Sequence, residues 1–251
     1  MPEPVVVEGR WAVEALLEST SFTPLIVYVE RGRHQDLKQR LVDAGVAFEE
    51  VDAEAMAGKA GFDFHRGVFA LAERPEAREP AEEWLENACR MVVPVGLADP
   101  GNLGTIVRSA AAFGADGILL EKGRGADVYS RKCIRASATA VFRLPIFEVE
   151  RLPGHLDSMR EAGFAIFGTA LGDDAVPLPR VRQVEKCALL FGSERDGLAP
   201  EVGDLCDEKI GIPMSGTIDS LNVAASAAVV MYELFVRAAG RDEVNPVGRP
   251  T

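Results

Sequence analysis

The sequence predicts an α/β protein in two parts, a small α/β unit followed by a larger unit built on a parallel sheet. Three observations predict it. From residue 91 to residue 230, apolar strand-like runs alternate with helical patterns, as expected for parallel strands covered on both faces. The segment ERPEAREP (73–80) interrupts the chain with two prolines and dense charge, and reads as a linker. The 251 residues are 47% hydrophobic, enough for one large core or two small ones.

Taken in order, residues 5–7 read as a short strand, and Trp11, Val13, Ala15, Leu16 and Leu17 as a helix. Residues 25–29 form a strand by their β-branched content. Leu37, Leu41 and Val42 recur at helical spacing, and Gly45 ends that helix before a strand over 46–51. A helix over 53–60 and a strand over 68–72 complete a first unit, residues 1–75. Residues 76–90 complete the connection, with a short acidic helix at 81–87.

The second unit spans 91–240. Its pattern predicts a strand over 91–97, a helix over 102–113 stopped by Gly114, a strand over 117–120 and a basic helical segment over 130–138. Next come a strand over 144–147, a helix over 156–162 stopped by Gly163, strands over 164–169 and 188–191, and a helix near 198–205. A strand over 209–212 leads to a long Ala-rich helix capped by Asp219 or Ser220. Residues 241–251 are a polar tail.

Several function classes are disfavoured. No run of about 18 apolar residues exists to span a membrane. No basic-then-apolar leader stands at the start. Cys89, Cys133, Cys187 and Cys206 are scattered without a CxxC pair, which predicts a cytoplasmic protein with no metal site. Neither G-x-G-x-x-G after a first strand nor G-x-x-x-x-G-K-[ST] is present, so a nucleotide-like ligand needs another cradle. The net charge of −12 opposes nonspecific nucleic-acid binding. One window runs the other way: Lys122, Arg124, Arg131, Lys132 and Arg135 face only Asp127 within fourteen residues.

Three loops follow strands where a parallel sheet binds ligands. In the first, Pro100 and Gly101 make a turn, Asn102 can cap the helix, and Arg108 lies six residues on. That spacing offsets the two side chains by about 120° around the helix. In the second, Gly192 lets a ligand approach the backbone and Glu194 supplies an acid. In the third, Ser220 and Asn222 stand at the mouth of an apolar helix, where backbone N–H groups gather. The blander reading makes these loops capped helices and tight turns with solvated charges.

The three loops together, DPGNLGTIVRSAAAFG (99–114), LFGSERDGL (190–198) and IPMSGTIDSLNV (212–223), resemble the three motifs of the SpoU (TrmH) family of RNA ribose 2′-O-methyltransferases. The resemblance covers about 91–240. More loosely, residues 1–75 look like the family's substrate-binding domain of the ribosomal-protein L30e type, and HRGV (65–68) echoes a His-Gln-Gly segment with Arg66 in place of Gln.

The resemblance implies a SPOUT fold whose C-terminal chain is threaded into a deep trefoil knot, an exception to the usual connection rules. It implies S-adenosyl-L-methionine as cofactor, held by Gly192, Ile212 and Leu221 with Met214 and the Thr169 and Ala170 turn nearby. Apolar Ile212 and Met214 suit an adenine slot. It maps catalytic roles onto Asn102, Arg108, Glu194, Ser220 and Asn222, and implies a homodimer in which the first motif reaches the active site across the interface. Ordinary guanidinium groups titrate above about 12, so a general-base Arg working near pH 8 needs on the order of 6 kcal/mol of perturbation. An Arg108 that clamps a phosphate or steadies a developing alkoxide avoids that cost.

The basic window then gains a use: Arg131, Lys132 and Arg135 are expected to contact RNA phosphates near the target ribose. Ribosomal RNA is favoured over tRNA because of the extra N-terminal unit. The acidic body implies either a narrow basic groove or a salt-adapted host. A catalytically silent RNA-binding module and a nucleotide-dependent oxidoreductase are the competing classes. The intact polar motif residues oppose the first, and the missing phosphate-binding signatures oppose the second.

Overall fold

The computed structural model describes residues 3–60, 66–172, 174–193, 196–217 and 220–237. The expected positions His65, Glu194 and Asp219, and the tail at 241–251, lie outside the described residues.

The first sheet comprises β1 (Val5–Glu8), β2 (Pro24–Glu30), β3 (Phe48–Val51) and β4 (Val68–Ala72), in the order β1-β4-β2-β3. β4 runs antiparallel to both neighbours, and β2 pairs parallel with β3. The helices α1 (Arg10–Glu18), α2 (Gln35–Asp43) and α3 (Ala53–Ala60) connect these strands. α1 and α2 are amphipathic and bury Val13, Leu16, Leu37 and Leu41.

Beyond α4 (Glu82–Asn87), a second sheet of seven parallel strands begins. It contains β5 (Arg90–Pro94), β6 (Gly117–Glu121), β7 (Ile146–Val149), β8 (Ala165–Thr169), β9 (Val176–Pro177), β10 (Cys187–Phe191) and β11 (Glu208–Gly211). Their order is β7-β6-β5-β10-β8-β11-β9. Its connections hold α5 (Pro100–Ala112), α6 (Arg131–Ala136), α7 (Leu152–Glu161) and α8 (Pro200–Gly203), and α9 (Val223–Met231) follows the last strand. Burial on both faces follows from the period-2 alternation: β10 sends Leu189 and Phe191 into one core, and Ala188 and Leu190 into the other.

Several expected boundaries move for local reasons. β5 stops at Pro94, because Gly96 takes a left-handed conformation and turns the chain out of the sheet. β9 is only two residues long, too short to leave a periodic signal. α5 starts at Pro100 and its cap is Asp99, whose carboxylate accepts from the Gly101 amide; Asn102 sits in the first turn instead of capping it. α9 is capped by Asn222, not by Ser220.

The segment after β4 is docked, not a free tether. Arg74 donates to both carboxylate oxygens of Asp127 at 2.9 and 2.8 Å and lies over the Tyr129 ring. Glu148 donates its amide to the Arg78 carbonyl, and Trp84 packs against Phe147. The first unit adds Phe22, which meets Tyr129 and Phe142 edge to face, and Ser19, whose hydroxyl donates to the Phe142 carbonyl at 2.9 Å. One apolar core consequently runs from Val5 and Leu16 through to Val107 and Phe235.

α5 packs tightly on α6. A Cβ on Gly104 would stand 2.4 Å from the Cys133 carbonyl oxygen and 2.7 Å from the Ala136 Cβ. Gly104→Ala would regain about 1 kcal/mol of helix propensity, but overpacking against a backbone atom costs about 1–3 kcal/mol. Urea denaturation should show a net loss of stability; an unchanged or higher midpoint would mean that the two helices part without cost.

Candidate active site

The loops after β5, β8, β10 and β11 meet beyond the carboxyl ends of their strands. Two adjoining cavities open there and share Ser193, Gly197 and Val223 as walls. The smaller, about 140 Å³, is lined by all six expected cofactor positions: Thr169, Ala170, Gly192, Ile212, Met214 and Leu221. Ser220 lines it too. Three apolar side chains at this cavity stay open to solvent, Leu171 at 67% and Met214 and Leu221 at 37% each. An apolar slot of this kind suits a flat aromatic ligand.

Gly192 also meets a constraint within its own loop. Ser193 and Gly197 exchange backbone hydrogen bonds at 2.9 and 3.0 Å, folding the loop back on itself. A Cβ on Gly192 would lie 2.2 Å from the Gly197 carbonyl carbon. The loop's own backbone fills the space a side chain would need, while Gly192 still lines the smaller cavity. The Thr169 hydroxyl is likewise engaged, donating to the Leu190 carbonyl at 3.1 Å.

The larger cavity, about 510 Å³, is lined by Asp99, Asn102, Arg124 and Asp196 among others. Asn102 and Asn222, 120 residues apart in sequence, meet beside it. The Asn222 oxygen accepts from the amides of Ala224 and Ala225 at 2.9 and 3.3 Å, which leaves its nitrogen to donate to the Asn102 oxygen at 3.1 Å. This network fixes the orientation of the Asn222 amide, and α9 cannot start elsewhere without breaking it.

Asp99 ties this site to the basic helix. Lys132 donates to both Asp99 oxygens at 2.9 and 3.1 Å, and Asp99 caps α5. The Lys132 ammonium, and then the Gly101 amide, hold the Asp99 carboxyl below the usual carboxylate range. Arg131 pairs with Glu8 of the first unit. Arg135 is exposed and makes no ion pair among the described residues. Lys132 thus positions the first motif, a role the sequence did not suggest. The Asp-Pro pair at 99–100 did carry the signal for the cap, because proline favours the first helical position.

Arg108 stands apart. It projects from α5 as an exposed side chain, lines neither cavity, and makes no ion pair among the described residues. The rotation between residues 102 and 108 points it away from its own chain's site, and the side chain does not reach back. The structure therefore divides the first motif, with Asn102 inside the site of its own chain and Arg108 outside it. Among the described residues, no three His, Cys, Asp or Glu side chains cluster as a metal site requires. No described helix is long and apolar enough to cross a membrane.

Fold and site together define an α/β protein with a ligand crevice beyond its strand ends. The SpoU rRNA methylase family model matches residues 90–232. An uncharacterized tRNA/rRNA methyltransferase of Mycobacterium bovis is 33% identical over 233 residues, 91% of this chain and 80% of that protein. The 23S rRNA (guanosine(2553)-2′-O)-methyltransferase RlmP of Bacillus subtilis is 29% identical over 230 residues, 91% of this chain and 87% of that protein. The structure is similar to that of the SpoU methyltransferase AviRb from Streptomyces viridochromogenes, solved with AdoMet. The TM-score is 0.83 at 25% identity, covering 95% of this chain and 92% of that one. This chain belongs to the SpoU rRNA methylase family of RNA methyltransferases.

The Asn222 network predicts separable effects. Asn222→Ala removes the α9 cap and should cost about 1 kcal/mol, within the ~0.5–2 kcal/mol typical of caps. Asn222→Asp keeps an accepting oxygen at the helix start and should cost less, while losing the donor to Asn102. Thermal melts of the two variants check the order. Lys132→Ala should raise the Asp99 titration toward the ordinary value of about 3.9, as followed by carboxyl-carbon NMR. Asp99 would then lose its cap at a higher pH as acid is added, because a depressed carboxylate contributes only above its folded value.

Proposed function

We propose that this chain transfers a methyl group from S-adenosyl-L-methionine to a ribose 2′-hydroxyl of RNA, with 23S-type ribosomal RNA as the favoured substrate over tRNA. One observation carries the reading: a small apolar-walled slot adjoins a larger polar cavity, and the Asn102–Asn222 pair sits beside that larger cavity. The small slot fits the cofactor's adenosine part. Ile212, Met214 and Leu221 would supply apolar walls, with main-chain groups of Gly192 and the Thr169–Ala170 turn close by. The relative that acts on 23S rRNA, and the presence of the N-terminal sheet unit in addition to the catalytic unit, support the ribosomal substrate.

When bound, the cofactor supplies an electrophilic methyl group. The protein's task is then to align the ribose oxygen and to stabilise the charge it develops. Asn102 and Asn222 are held rigidly enough to orient the ribose. Ser220, on the wall of the cofactor slot, is placed near the junction. Glu194 completes the set by its place in the second motif. Arg108 acts electrostatically, on phosphate or on the developing alkoxide, in the site of a second copy of the chain. Its exposure and its distance from its own cavities support that arrangement, and the exposed Val229 and Tyr232 near the end of α9 offer apolar surface for a homodimer. Of the three basic residues on α6, Arg135 is the one available for a phosphate; Arg131 and Lys132 can join it only by releasing Glu8 and Asp99.

The finer fold reading belongs with this function. The placement of β10 between β5 and β8 supports a C-terminal chain threaded as a deep trefoil knot, and the mixed four-stranded unit supports an L30e-like substrate domain. A cytoplasmic location follows from the RNA substrate.

The test is methyl transfer from labelled S-adenosyl-L-methionine to unmodified large-subunit ribosomal RNA, with mapping of the 2′-O-methylated position. Arg108→Ala should lower turnover by about 10²–10³-fold, the scale for removing one charge-stabilising donor. A pH–rate profile with no group titrating between about 7 and 9 is expected; a basic limb there that vanishes in Arg108→Lys would restore the general-base role. Cofactor binding without transfer to any RNA would mean that the substrate or a partner is missing; no transfer and no cofactor binding would point to the silent-module alternative.

A further inference from the structure

A third cavity lies away from the catalytic pair, between the first unit and α6. It measures about 370 Å³, a volume in the range of small-ligand sites, roughly 300–1,000 Å³. Trp11, Arg66 and Arg135 line it. Trp11 is 80% exposed and packs against no aromatic ring among the described residues, an unusual state for the most area-rich apolar side chain. Arg66 lies across Gly9, whose missing side chain leaves room for it: a Cβ there would meet the Arg66 Cδ at 3.3 Å.

The charges around the groove are sorted. Arg10 is paired with Asp36 and Glu14, and Arg131 with Glu8. Arg66 and Arg135 have no ion-pair partner among the described residues, in a chain of net charge −12 where acids are plentiful. A second sign is conformational. Ala138 and Thr139, both on the groove wall, have φ of 47° and 76°. Two consecutive non-glycine residues in the left-handed region, one of them β-branched, are strained, and such strain gathers at ligand sites.

We infer that this groove holds one unstacked nucleotide of the RNA substrate, its base lying on the Trp11 indole and its phosphate bridging Arg66 and Arg135. The inference rests on the reading of the protein as an RNA methyltransferase and adds a second point of attachment. Single-stranded RNA is held by this combination, an aromatic face that accepts any base and guanidinium groups that fork onto phosphate. The groove is bounded by both units, so a nucleotide seated there spans the seam that Arg131 and Glu8 already close.

The chain contains two tryptophans, Trp11 and Trp84. In a Trp84→Phe background, Trp11 alone reports on the groove. Adding an unmodified 23S-type ribosomal RNA transcript should quench its fluorescence. Trp11→Ala should weaken RNA binding by about five- to a hundredfold, the range of one base–aromatic stack, and Trp11→Phe should recover most of it. The pair Arg66→Glu and Arg135→Glu should weaken binding further and flatten its dependence on salt, with S-adenosyl-L-methionine affinity unchanged. RNA binding by the parent that survives all these changes, with no quenching, would overturn the groove and leave the methyltransferase reading intact. A parent that binds the cofactor but no RNA would overturn both. A change in sedimented mass in Trp11→Ala, at unaltered RNA affinity, would make the groove a contact between protein copies and also remove the inference.

Discussion

The Asn222 side chain is the joint on which the site depends. Its oxygen starts α9 by accepting from two backbone amides, and its nitrogen reaches the first turn of α5. One amide group therefore fixes where the last helix begins and where the first motif sits relative to it. The requirement is specific, since a carboxylate can cap the helix but cannot also donate to Asn102. α5 is in turn seated from below by the Gly104 contact with α6 and held at its start by Asp99 and Lys132. The placement of Asn102 against Asn222 is thus a consequence of helix packing and capping.

Much of the architecture could be read from local pattern. The helix over 53–60 and the strand over 68–72 coincide with α3 and β4, because each is an uninterrupted run with its own punctuation. The six cofactor positions come from three separate loops, yet they line one cavity. Periodicity could not show that convergence; it came from the motifs as a set. What escaped the sequence was pairwise. That Lys132 finds Asp99, Arg131 finds Glu8, Arg124 finds Glu201 and Lys122 finds Glu150 depends on placement between segments distant in sequence, so the window of positive charge could be seen in the sequence but its pairing could not. A second constraint on Gly192 was hidden for a similar reason: it lies in the backbone five residues on, within its own loop.

The acidic composition loses its tension with an RNA substrate once the cations are located. Most basic side chains around the seam are held by carboxylates: Arg10 by Asp36, Arg74 by Asp127, Arg124 by Glu201, Lys122 by Glu150. Exposed pairs of this kind contribute little to stability, roughly 0–1 kcal/mol each. Their larger effect is on the field, because they neutralise charge that would otherwise draw RNA to many places. Arg66, Arg108 and Arg135, exposed and without an ion-pair partner among the described residues, are among the cations a phosphate can find.

The tie between the two units gives that selection a geometry. Arg74 on Asp127 and Tyr129, Phe22 between Tyr129 and Phe142, and the shared apolar core join the first unit to the second. Tyr129 and Asp127 stand immediately before α6, and α6 packs on α5. A load on the first unit therefore reaches the helix that carries Asn102 and Arg108 through packed side chains alone.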